Sequence, residues 1–244
     1  MRCVRCQFSV LGLVVVACVF SLVAMGCGAS ATQIDASEPT AKPVTFAPSE
    51  ESMTVTGTLG TIPQRKIHEV LEARLGRFQR CFSKASERVE FIGGEVEFWF
   101  VVDPRGKPSS VYLRKSRVGD RETERCLLEI ATAAKFPEPK GGTGAEFSWG
   151  FAMDSHPDIR PPVELDAARI SAESPEVMAA VTACNPEPLE ITAYVDRGGK
   201  PMAVGVASAT FQSPSVLDCV VQAVTSATLP DPGSYPGKLT FRAP

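Results

Sequence analysis

From Ile67 onward, apolar residues fall at Val70, Leu71, Leu75, Phe78 and Phe82, with charged residues between them. That is one face at helical spacing, so it predicts a helix with Cys81 beside its apolar face. The period then changes to two. Val96, Phe98, Phe100 and Val102 alternate with Glu97, Trp99 and Val101, which predicts a strand with Trp99 on the face opposite the phenylalanines. Asp103-Pro104-Arg105-Gly106-Lys107 has turn chemistry, and a second strand over roughly Ser109 to Ser116 completes a hairpin. Asp120 suits the cap of a second helix carrying Cys126, Leu127, Ile130, Ala131 and Ala134, stopped by Phe136-Pro137-Glu138-Pro139. A last strand sets Phe147, Trp149 and Phe151 on one face, where Trp149 reads as core.

The same pattern returns farther along the chain. Val96–Pro139 and Leu189–Pro232 align without a gap, with Asp103/Asp196, Gly106/Gly199, Lys107/Lys200, Cys126/Cys219 and Pro137/Pro230 among the identities. Two copies of one small unit account for most of the chain. In the second copy, Ser174-Pro175 caps a short helix over Val177 to Cys184. Leu189, Ile191, Ala193 and Val195 form a core face, and Ser213-Pro214 opens a helix with Cys219. Each unit therefore reads helix–strand–strand–helix–strand. This predicts an α+β fold in which two helices pack on one face of a three-stranded antiparallel sheet.

The N-terminus differs in kind. Arg2 and Arg5 precede an apolar stretch, Leu11 to Val23, that ends at Ala24-Met25-Gly26-Cys27. The stretch is short for a membrane span and has the organisation of a signal segment. Small residues before a cysteine resemble a bacterial lipoprotein signal, which implies residues 1–26 removed and Cys27 lipidated; the alternative is an ordinary secretory signal cut near Ala29 or Ala31. The resemblance to lipoprotein sorting signals, with Gly28 rather than Asp after the cysteine, implies the outer membrane, with the protein facing the periplasm. Residues 27–52 are rich in Ser, Thr, Ala and Pro and have no hydrophobic period, as expected of a disordered tether. The folded part is then expected as domain 1 at 53–154, a polar, proline-bearing linker at 155–165 and domain 2 at 166–244.

Composition changes the picture at two points. The net charge of −3 is spread over 25 basic and 28 acidic residues with no basic stripe, so nucleic acid is not an expected partner. Of the 8 cysteines, Cys3, Cys6 and Cys18 leave with the signal and Cys27 takes the lipid. Cys81, Cys126, Cys184 and Cys219 remain, an even number in an oxidising compartment. Three pairings exist in principle. The repeat selects Cys81–Cys126 and Cys184–Cys219, because each copy then closes its own bridge. A four-thiolate zinc site would want closely spaced pairs, so no metal is expected.

The residues together resemble a known family. Cys81-Phe82 at a helix end, the turn with Asp103 and Gly106, Cys126 in the second helix, Phe136-Pro137-Glu138-Pro139-Lys140-Gly141-Gly142 and Ser148-Trp149-Gly150-Phe151 are similar to the AgmX/PglI C-terminal domain. That family occurs in gliding myxobacteria and is TonB-like in fold. The resemblance implies two tandem TonB-like domains, the second a degenerate copy. It also implies a periplasmic role beside motility or envelope machinery.

For function, the sequence points to a non-enzymatic envelope adaptor that binds a protein partner, with a component of an energised transport or motility complex as the alternative. There is no GxSxG elbow, P-loop or dinucleotide fingerprint, and no cofactor is expected. Trp99 is the candidate contact residue, since a Trp on the helix-free face of a sheet suits a partner hot spot. The competing expectation is that Val55 to Leu59 or the other domain covers it. The last strand of each unit is a candidate for edge pairing. His68 and His156 read as surface residues. The charged turns at Asp103 and Asp196 are explained by turn chemistry, with a ligand-binding turn as the alternative.

Overall fold

The computed structural model describes residues 41–42, 59–185 and 187–243. The expected signal segment, Cys27 and the expected tether apart from Ala41–Lys42 lie outside the described residues, as does Val55 to Thr58. The fold is α+β. In chain order the elements are β1 (Ala41–Lys42), α1 (Gln64–Glu72), α2 (Leu75–Ser86), β2 (Gly94–Val102), β3 (Pro108–Ser116), α3 (Arg121–Thr132) and β4 (Ala145–Met153), followed by β5 (Val163–Leu165), α4 (Ala168–Glu173), α5 (Pro175–Cys184), β6 (Leu189–Val195), β7 (Pro201–Ser208), α6 (Pro214–Thr225) and β8 (Gly237–Ala243).

The strands make two sheets, ordered β1-β4-β2-β3 and β5-β8-β6-β7. Each has four strands where three were expected. The extra strand in each case lies beside the last strand of its unit. β1 pairs antiparallel with β4 through Ala41↔Met153 and Lys42↔Ala152. β5 runs parallel to β8 through Val163↔Gly237 to Leu165↔Leu239. Both pieces fall in stretches read as tether and linker. Two or three residues carry no measurable alternation, so pattern reading has nothing to detect. They also place chain on the edges that were candidates for partner pairing.

The expected first helix is broken at Ala73 and Arg74 into α1 and α2, where Arg74 N–H bonds back to Leu71 O at 2.9 Å, a tightened turn. Both pieces bury their apolar side, through Ile67 and Leu71 and through Phe78 and Phe82. Phe78 stacks on Phe98 and Phe151 at 5.8 and 5.2 Å between centroids, with Trp149 at 5.9 Å. The core of the second sheet is aliphatic, built from Val177, Val181, Ile191, Val206, Val220 and Leu239 around Phe241. Both bridges form as the repeat requires: Cys81–Cys126 ties α2 to α3 and Cys184–Cys219 ties α5 to α6.

The shared turn and the shared proline motif turn out to be one device. Asp103 Oδ1 accepts from the backbone N–H of Arg105 and Lys107, and Asp196 Oδ1 from Gly198 and Lys200. These backbone donors hold the Asp196 carboxyl below its ordinary range. Behind each turn, Phe136 N–H bonds Gly106 O and Leu229 N–H bonds Gly199 O, both at 2.8 Å. Gly106 has φ 77°, and a Cβ there would lie 2.0 Å from Phe136 O. Gly106→Ala is therefore expected to destabilise by about 2 kcal/mol, measured by urea unfolding; an effect below about 0.5 kcal/mol would show that the contact relaxes freely.

Caps follow expectation at α3 and α6, where Asp120 accepts from Thr123 N and Ser213 from Val216 N. At α5 they do not. Pro175 starts the helix, but the Ser174 hydroxyl donates to Thr228 O at 2.7 Å and makes no cap bond.

Candidate functional site

In each half the helices lie on one face of the sheet, leaving the other face to be explained. In the second sheet that face carries Thr192 and Tyr194 on β6 with Lys238 and Thr240 on β8. The first half covers it, and both sheets belong to one compact unit, Ser37–Pro244. Tyr194 is fully buried. Its hydroxyl donates to Gly93 O at 3.0 Å and accepts from Gly93 N at 3.1 Å. Lys238 Nζ donates to the same carbonyl at 2.8 Å. Burial lowers the Lys238 ammonium to about 8, while Glu164 and Glu95 oppose that fall. Thr192 donates to Ser116 O.

Glycines permit this approach. A Cβ on Gly119, which has φ 71°, would meet Thr192 and Tyr194 at 3.0 Å. A Cβ on Gly205 would lie 2.4 Å from Glu124 Oε1. Glu124, in the first turn of α3, is fully buried and accepts from Ser116 Oγ at 2.7 Å and from Val206 N at 3.0 Å. Its carboxylate thus satisfies an outward N–H on β7, a strand with no further sheet neighbour among the described residues. Burial pushes it up to about 7 against the pull of Ser116, Val206 and Arg121.

The corresponding face of the first sheet carries the predicted contact residue. Trp99 is half-buried, paired across strands with Tyr112 on β3 and Ser148 on β4. The Arg114 guanidinium sits over its ring, 5.0 Å from the centroid. Arg114 lies two residues from Tyr112 on β3 and so shares its face by ordinary alternation, while the register shift between Glu97 and Phe98 leaves it without a direct partner in the ladder. Tyr112 continues the strip, its ring edge-on to Phe211 at 6.3 Å. Phe211, from the second half, is 59 % exposed. The sequence pointed to Trp99 but not to Arg114, Tyr112 and Phe211, which depend on the cross-strand register of the hairpin and on how the halves meet.

Other sequence candidates lie apart from this strip. His68 faces Glu72 on α1 at 3.8 Å, and His156 faces Asp158 at 3.7 Å. Among the described residues no group of three or more His, Cys, Asp or Glu side chains is placed to hold a metal, and no helix is long and apolar enough to cross a membrane. Comparison with protein families, with curated proteins and with solved structures gives no match, so the site stands on its own geometry.

Proposed function

We propose that the protein is a non-enzymatic cell-envelope lipoprotein, anchored through Cys27 and acting as a periplasmic adaptor built of two TonB-like units. The observation that supports this reading is the unequal use of two equivalent faces. Thr192 and Tyr194 are consumed by the internal junction. Trp99, at the position matching Thr192, lies on a face bordered by Arg114, Tyr112 and Phe211. An aromatic anchor with a stacked guanidinium is the composition of binding hot spots. The partner is a protein of the envelope, met on the Trp99 face.

The test is in-cell photocrosslinking from Ser148, which is exposed and pairs directly with Trp99, with Arg80 on α2 as the control position. A discrete adduct is expected from Ser148 alone. It should be lost in Trp99→Ala, which costs about 2 kcal/mol of binding at a hot spot. Equal adducts from both positions, or an adduct indifferent to Trp99→Ala, would sink the proposal. Labelled-lipid incorporation, abolished by Cys27→Ala, tests the anchor separately.

A further inference from the structure

A groove opens where the two halves meet, beside β3 and β7 and below the tip of α6. Its wall is apolar, with Val111, Leu113, Leu128, Val206 and Leu217 lining it and exposed Phe211 at its lip. Ser208, Thr210 and Gln212 form one rim. Arg121 lines the groove and is 7 % exposed. Its Nε donates to Asp218 at 3.1 Å, but its Nη1 is buried with no hydrogen-bond partner among the described residues. A buried guanidinium donor without an acceptor is costly, and an anion supplied from outside would relieve it.

The nearby acids leave the Arg121 Nη1 unmet. Arg121 and Arg125 share the single carboxylate of Asp218. The other acid near Arg121 is Glu124, whose nearer oxygen is 3.9 Å from Nη1 and which already accepts from Ser116 and Val206. Burial pushes Glu124 up to about 7, so it carries less than a full charge at neutral pH. The rim acid Glu187 is engaged by Thr210 and Gln212. Two guanidiniums thus face the one full carboxylate of Asp218 beside the partly protonated Glu124, while Glu187 keeps its charge at the rim, so the unmet Nη1 rather than a net cationic field marks the site.

We infer that this groove binds the free C-terminal carboxylate of a partner polypeptide whose last side chain is apolar, the carboxylate meeting Arg121 and the side chain filling the apolar wall. The volume of about 110 Å³ suits a single side chain rather than a long acyl tail. The hydroxyls and amide of the rim suit the peptide groups that precede it. The inference rests on the reading of the protein as a binding module, but it turns on Arg121 and the apolar wall and shares only Tyr112 and Phe211 with the border of the Trp99 face.

The experiment titrates N-acetyl-L-phenylalanine, its amide and octanoate into the isotope-labelled full chain, followed by two-dimensional NMR. The acid is expected to shift the Arg121 Nε–H and the Leu217 and Val206 methyls, with the amide at least about tenfold weaker. Phe211→Ala, at an exposed position, should weaken the acid severalfold without unfolding the chain, and Arg121→Gln should erase the preference for acid over amide. Equal binding of acid and amide, or shifts confined to the Trp99 face, would overturn the inference. Octanoate binding as tightly as the acid would assign the groove to lipid carboxylates instead. Crosslinking from Ser148 that persists in Arg121→Gln separates failure here from failure of the adaptor reading.

Discussion

Removing the Cys184–Cys219 bridge as a Cys184→Ala/Cys219→Ala pair is expected to destabilise the protein by about 4 kcal/mol, and removing Cys81–Cys126 by about the same. The bridges span 35 and 45 residues, and loop entropy grows only logarithmically, so the two losses differ little in that model. The consequences differ because the cores differ. The first half keeps the stacked cluster of Phe78, Phe98, Trp149 and Phe151 when its bridge is gone. The second half must rely on valines and on α5, whose apolar contacts are mainly Val177 and Val181. Hydrogen exchange should therefore show α5 and α6 opening first when Cys184–Cys219 is removed, whereas α2 stays protected by Phe78 and Phe82 when Cys81–Cys126 is removed. A midpoint fall of roughly 10 °C in each case is the thermal counterpart. A change under about 1 kcal/mol in either pair would mean that the bridges restrain little of the unfolded chain.

The sequence carried the parts of the fold that depend on contiguous pattern. The period change after Phe82, the turn at Asp103 and the repeat were enough to place the three antiparallel strands β2, β3 and β4, the bridging helices and both cysteine pairs. What escaped were features set by distant chain. The edge strands β1 and β5 are too short for alternation. Helix α4 rests on a single buried residue, Ile170, and has no face to read. The meeting of the halves was hidden for a different reason. Tyr194 on a sheet face reads the same whether it meets solvent or Gly93, and its meaning depends on glycines at 93 and 119 that look like ordinary loop residues. Trp99 stands out in the sequence because a large aromatic opposite a core face is unusual. Arg114 does not, since the cross-strand register that sets it beside Trp99 cannot be read from the alternation of one strand.

Glu124 is expected to make the junction less stable as pH rises, the reverse of an ordinary paired carboxylate. Its carboxyl is raised from its ordinary 4.5 to about 7 in the fold, with burial as the leading cause. Between those values the folded state holds a proton that the unfolded state has released. Stability from this group is therefore complete below about pH 4.5, falls through the window up to about 7 and is level above it. The difference corresponds to about 3 kcal/mol. Other groups face the same region: Asp120, bound by Arg88 Nη2 at 2.7 Å, and Asp218, shared by Arg121 and Arg125. Lys238, lowered to about 8, acts in the opposite sense above that pH, where its unfolded form holds the extra proton. The clean measurement is thus the difference between the native chain and Glu124→Gln, each unfolded in urea from pH 4.5 to 8. The amide keeps an acceptor for Val206 N–H and removes the titration. The native chain should lose about 3 kcal/mol relative to the variant across that range. A flat difference would mean that Glu124 stays ionised throughout, stabilised by Arg121 more strongly than its burial suggests. An opposite slope would place it with the ordinary carboxylates.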